Sequence, residues 1–159
     1  MFKLLRMNNY YFIVGGSAAW AEIVRILQEK KIPFAWMKSD TEGAVSVPYE
    51  KIDEVIAAGF VPVVIGAECG RSDVKVLKKY RHHVNASPLE IVSVWEHAPL
   101  ATRWQELVLA HDEDCFNEFD YSTEIMRELC RRGFSRDEID KVRALDREIR
   151  GITGAEEAA

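Results

Sequence analysis

The chain reads as an α/β domain: an open, mainly parallel sheet flanked by helices, with a helical C-terminal half. Three observations predict this class. The first forty residues run strand, helix, strand, which is the unit parallel sheets are built from. The segment "FVPVVIGAECG" carries Val63, Val64 and Ile65 as a continuous apolar run, as expected of a strand covered on both faces. From Ser87 onward, helix-start signals follow one another with no strand between them.

Taken in order, Tyr10 to Val14 ("YYFIV") is a β-branched and aromatic run that stops at Gly15-Gly16. The next segment, "SAAWAEIVRILQEKKI", sets Trp20, Ile23, Val24 and Leu27 at helical spacing. Pro33 ends that helix, because its ring removes a donor and clashes with the preceding turn, and "PFAWM" follows as a second strand. "PYEKIDEVIAAG" is a helix opened by Pro48 and closed by Gly59. After the Val63 strand, a short helical segment over Ser72 to Lys79 leads to "YRHHV", the next strand of the sheet. "SPLE" at Ser87, "TRWQ" at Thr102 and "SRDE" at Ser135 share the spacing of a capping box, in which an N-cap hydroxyl and a Glu or Gln three residues on satisfy each other's backbone N–H groups. They start helices over about 88–96, 103–111 and 136–150, with another over 122–132. The expected organisation is one domain over 1–152, with sheet-forming units in 10–84, helices packing on them in 87–150, and a frayed tail at 153–159.

At 159 residues, 48% hydrophobic and 30% charged, the chain is long enough for one ordinary core. A net charge of -5 excludes a broad duplex nucleic-acid footprint, which needs concentrated Lys and Arg to displace counterions. The apolar run near the N-terminus is too short to span a bilayer and lacks a small-residue cleavage pattern, so the expectation is a cytoplasmic protein with no membrane partner. Cys69, Cys115 and Cys130 form no CxxC pair and read as buried free thiols. Cysteine chemistry is a weak candidate, because the carboxylates beside Cys69 and Cys115 oppose thiolate formation.

In open parallel sheets ligands bind beyond the carboxyl ends of the strands, which singles out four segments. Gly15, Gly16 and Ser17 precede a helix and offer backbone N–H groups to a phosphate, or simply make a tight turn; the third glycine of a dinucleotide fingerprint and the Lys of a P-loop are missing. Glu68-Cys69-Gly70 follows the buried strand. His82 and His83 lie in "YRHHV", where neighbours on one strand point to opposite faces, so at most one enters a given site. "HDEDCF" places three carboxylates where a helix ends, against the helix dipole, which calls for an earlier helix end or a nearby positive charge such as a metal ion.

The order of these segments resembles the DHH phosphoesterase family. "PVVIGAECG" looks like its second motif, with Glu68 at the Asp position; "YRHHV" looks like the Asp-His-His motif, with Arg81 in place of Asp; and "LAHDEDCF" looks like the fourth, with Asp112 as the matching acid. The likeness covers about residues 10–116. It implies a metal-dependent phosphoesterase acting on a small phosphorylated ligand or nucleotide. On that reading Glu68, His82, Asp112 and Asp114 are metal ligands, His83 and Arg81 contact the reacting phosphate, and Gly15, Gly16, Ser17, Gly70 and Arg71 bind the rest of the ligand.

The departures shape the expectation. Gly and Ser stand where the first motif's metal-binding aspartates belong, which removes most ligands of one of two ions. Arg81 brings a fixed positive charge, suited to a phosphate or to Glu68 and hostile to a cation. The expected cofactor is therefore one divalent ion at most, manganese, magnesium or zinc. The alternatives are a degenerate relative that binds a nucleotide or other anion without cleaving it, and a structural module that binds a partner through Trp95, Trp104 or Phe119; a homo-oligomer is open on any of these readings. At helical spacing those aromatics read first as core.

Overall fold

The computed structural model describes residues 8–37, 47–77, 80–81, 84–85, 87–114 and 123–150. Its centre is a four-stranded, all-parallel sheet of β1 (Asn9–Val14), β2 (Phe34–Met37), β3 (Val61–Ile65) and β4 (Lys75–Leu77), in the spatial order β2-β1-β3-β4. Helix α1 (Ala18–Glu29) connects β1 to β2, and α2 (Tyr49–Ala57) precedes β3.

Side chains alternate across the pleat, so the sheet feeds two cores. Tyr11, Ile13, Val63 and Ile65 face Trp20, Ile23 and Leu27 of α1, and Phe12, Val14 and Val64 face Ile52 and Val55 of α2. This two-sided cover is why Val63 to Ile65 needs no polar residue. The helices that follow are α3 (Pro88–Trp95), α4 (Arg103–Asp114), α5 (Thr123–Arg131) and α6 (Arg136–Arg150), and all contribute to the core on the α1 side. Helix α1 packs against α3, α4 and α6 as well as the sheet, which suits its small buried Ala18 and Ala19. Gly59, at φ 91°, closes α2 in the left-handed conformation that lacks a steric cost only for glycine.

Four expectations need correction. Of the helical segment expected over Ser72 to Lys79, the described residues 72–77 form no helix: Lys75–Leu77 is β4, with Val63 opposite Lys75 and Ile65 opposite Leu77. Sheet pairing and the burial of Val74 and Leu77 outweigh a weak local helix preference. "YRHHV" is not one strand of the main sheet: β5 (Tyr80–Arg81) pairs antiparallel with β6 (Val84–Asn85), Tyr80 opposite Asn85 and Arg81 opposite Val84. The opposite-faces argument for the histidine pair loses its premise, and His82 and His83 themselves lie outside the described residues. Helix α4 runs three residues past His111, so Asp112 lies on a helix. Cys130 is exposed, because the α5 stripe that enters the core is carried by its neighbour Leu129, and Cys69, in the loop after β3, is only partly buried.

Of the aromatics, Trp104 packs against the core, and Trp95 is 40% exposed with Lys75 Nζ 4.8 Å above its ring. Phe119 and Cys115 lie outside the described residues, as does the tail 153–159. Among the described residues, no helix is long and apolar enough to cross a membrane.

Candidate functional site at the carboxyl edge of the sheet

The strand order puts the topological switch point between β1 and β3, where successive connections leave in opposite directions and a crevice opens at the strand ends. Here the crevice is filled. The Trp20 indole, 3% exposed, lies against both flanking turns: a Cβ on Gly15 would stand 2.1 Å from Trp20 Cε2, and one on Gly66 2.7 Å from Trp20 Cη2. Gly66 sits at φ 90°, and its Cβ would also fall 1.9 Å from the Val14 carbonyl oxygen, so the chain leaving β3 crosses the end of β1 at backbone contact. Gly15 is fixed from the other side, its N–H donating to Met37 O at 3.1 Å and its carbonyl accepting from Trp36 Nε1 at 2.7 Å.

Next to the turn, Ser17 is the N-cap of α1. The first free N–H of the helix, on Ala18, donates to Asp146 Oδ1 at 2.8 Å, across 128 residues of sequence. Asp146 Oδ2 accepts from Arg150 Nε at 2.8 Å and stands 3.6 Å from His111 Nε2. Asp146 is 0% exposed and His111 4%. Burial pushes the Asp146 carboxyl up, but the His111 contact, the Ala18 N–H and the Arg150 charge outweigh it and hold the group below its ordinary range. Sequence reasoning missed Asp146. The available signal was position: Ile139, Val142, Asp146 and Ile149 follow the three-four spacing of one helix face, so a carboxylate sits on the buried stripe.

Asp112, the neighbour of His111 on α4, accepts a hydrogen bond of 2.5 Å from Ser87 Oγ. Ser87 is buried, caps α3 by accepting from Leu89 N–H at 3.3 Å, and follows His83 by four residues. Glu68 and Gly70 are exposed beyond the end of β3; a Cβ on Gly70 would meet Tyr49 Oη at 3.6 Å. Arg71 is a clamp within the chain: its fork grips Asp73 at 2.9 and 2.7 Å, Nη1 reaches Asp53 at 2.7 Å, and the guanidinium lies 5.3 Å from the Tyr49 ring centre. Those hydrogen bonds raise its already high pKa and fasten the Glu68–Arg71 loop to α2. Arg81 lies on β5 and Asp114 in the last turn of α4; their side chains are outside the described residues.

The structure thus brings four segments of the chain into a connected line: Gly15–Ala18 through Asp146 to His111, then Asp112 to Ser87. Among the described residues, no three His, Cys, Asp or Glu side chains gather as a metal site. The donors at the end of β1 do not fit an ion, because the carboxylate there already holds Arg150. Asp112 and Glu68 have the oxygen chemistry a single hard cation takes, with His82 as the third donor the sequence pattern names. Comparison with family models, with curated proteins and with solved structures returns no match.

Proposed function

We propose that the chain is a DHH-like domain that handles a small phosphorylated ligand, such as a nucleotide, at the carboxyl edge of its parallel sheet, as a metal-dependent phosphoesterase. The observation that carries this reading is the Ser87–Asp112 hydrogen bond. It ties the helix bearing the fourth motif-like segment to Ser87, four residues after His83 in the sequence, which supports a shared site for the two segments. Glu68 lies beyond the carboxyl end of β3. Asp112, Glu68 and His82 would hold one ion, which would supply Lewis-acid polarisation of a phosphoryl oxygen and acidify a bound water. His83 and Arg81 would contact the phosphate, Arg81 by its bidentate fork.

A second reading rests on its own observation. At the first-motif position the turn is closed by Trp20 and the helix start is filled by Asp146, where a second ion of a two-metal clamp would need open carboxylates. This favours a relative that binds the ligand without cleaving it.

Protein stripped of metal and reloaded with manganese or magnesium separates the two. Under the first reading it hydrolyses bis-p-nitrophenyl phosphate, and Asp112→Asn lowers turnover by about a hundredfold or more. Under the second, no divalent ion gives turnover, while equilibrium dialysis shows saturable nucleotide binding. Absence of both turnover and binding defeats both.

A further inference from the structure

We propose that the start of α1 is an oxyanion site whose resident occupant is the chain's own Asp146, so that the last turn of α6 and a phosphoryl group of a small ligand compete for it. The surroundings of Asp146 are those of a bound anion. One oxygen takes the free Ala18 N–H at a helix N-terminus, where the partial positive charge lies; the other takes Arg150, with His111 beside it. A second observation points to a ligand other than Asp146. Ser17, at the same helix start, is 7% exposed, and its Oγ is enclosed with no hydrogen-bond partner among the described residues. A buried hydroxyl left in that state is a cost to the folded protein that a second acceptor oxygen would remove. The Asp146 oxygens take Ala18 N–H and Arg150, and neither makes a hydrogen bond to Ser17 Oγ. A phosphate brings more acceptors and can take the Ser17 hydroxyl together with the Ala18 N–H.

The occupant is also placed to leave. Ile139 and Val142 of α6 are fully buried, whereas beyond Asp146 the helix has Arg147, Ile149 and Arg150 only partly buried and Glu148 exposed. Release of one turn uncovers the site without undocking the helix. The contact is then autoinhibitory, and it requires neither a metal nor a cleaved bond.

The test is a calorimetric titration with inorganic phosphate in EDTA, so that the metal-dependent reading above is not in play. Asp146→Asn, which keeps the shape and removes the charge, should bind phosphate at least tenfold more tightly than wild type. Adding Arg150→Gln to it should lose that gain. Ser17→Ala should leave the protein as stable as wild type or more so, and weaken phosphate binding in the Asp146→Asn background by about tenfold. In wild type, saturating phosphate should speed amide exchange over 146–150. A folded Asp146→Asn protein that binds phosphate within twofold of wild type overturns the proposal, as does a gain that survives Arg150→Gln. If Asp146→Asn does not fold, exchange in wild type decides: unchanged rates over 146–150 with phosphate present overturn it.

Discussion

Gly66 combines two constraints that no other residue meets. Its φ of 90° lies in the region L side chains rarely adopt, and its missing Cβ leaves room for the Val14 carbonyl at 1.9 Å from where that carbon would be. Backbone on one side and a buried indole on the other leave neither neighbour free to yield. Gly66→Ala should therefore cost more than about 2 kcal/mol, seen as a lower urea midpoint with an unchanged slope. Gly59→Ala, at a similar φ with open space around it, should show the strain alone and cost less. The sequence announces Gly15-Gly16 as a turn and Trp20 as a core residue. It cannot announce that the indole seals the switch point, because that contact joins two turns some fifty residues apart in the chain.

At the scale of elements, two of the three expected capping boxes were the most legible features, since donor and acceptor lie within one turn; Ser87 instead caps α3 through Leu89 N–H, without an exchange with Glu90. Thr102 N–H donates to Gln105 Oε1 at 3.2 Å and Gln105 N–H to Thr102 Oγ1 at 3.1 Å. Ser135 and Glu138 repeat the exchange at 2.9 and 3.2 Å. The second box has a further partner from α4, because Arg103 grips the Glu138 carboxylate with Nε at 2.6 Å and Nη2 at 2.9 Å. The Arg103 fork and the Ser135 N–H bring the Glu138 carboxyl down to about 2. A depressed folded pKa means a contribution fully present above the ordinary value of 4.5 and lost as pH falls toward 2. Amide exchange in the first turn of α6 should therefore accelerate across that window, and Glu138→Gln should flatten the response. Strand β4 and the division of the expected "YRHHV" strand into an antiparallel β5 and β6 were illegible for a different reason. At three, two and two residues they are too short to show a period, and their pairing is decided by tertiary contact.

For the molecule as a whole, the carboxyl-edge rule singled out residues at strand and helix ends, and local reading missed Asp146, the carboxylate that joins three helices. Glu68 and Asp112 were visible because they stand at element ends, where side chains have room to act. Asp146 was hidden inside an ordinary amphipathic helix, although it joins the start of α1, the end of α4 and the last turn of α6. Three elements held through one carboxylate should fail together. Asp146→Ala leaves the Ala18 N–H without its acceptor in the interior and removes the carboxylate that Arg150 Nε donates to, at a cost of about 1–3 kcal/mol. The sign of its pH dependence follows from the lowered carboxyl pKa. The anion is stabilised more by the folded state than by the unfolded chain, so the contribution is complete above the ordinary aspartate value of 3.8 and disappears as pH drops through the lower folded value. The difference in urea midpoint between wild type and Asp146→Ala should therefore be constant from neutral pH down to about 5 and shrink below 4. Over the same acid range, exchange protection in wild type should fall together at the start of α1 and in the last turn of α6, before the strands β1 and β3 respond. Loss at α6 alone would mean that Asp146 is a local ion pair with Arg150 and not the tie between the helical half and the sheet edge.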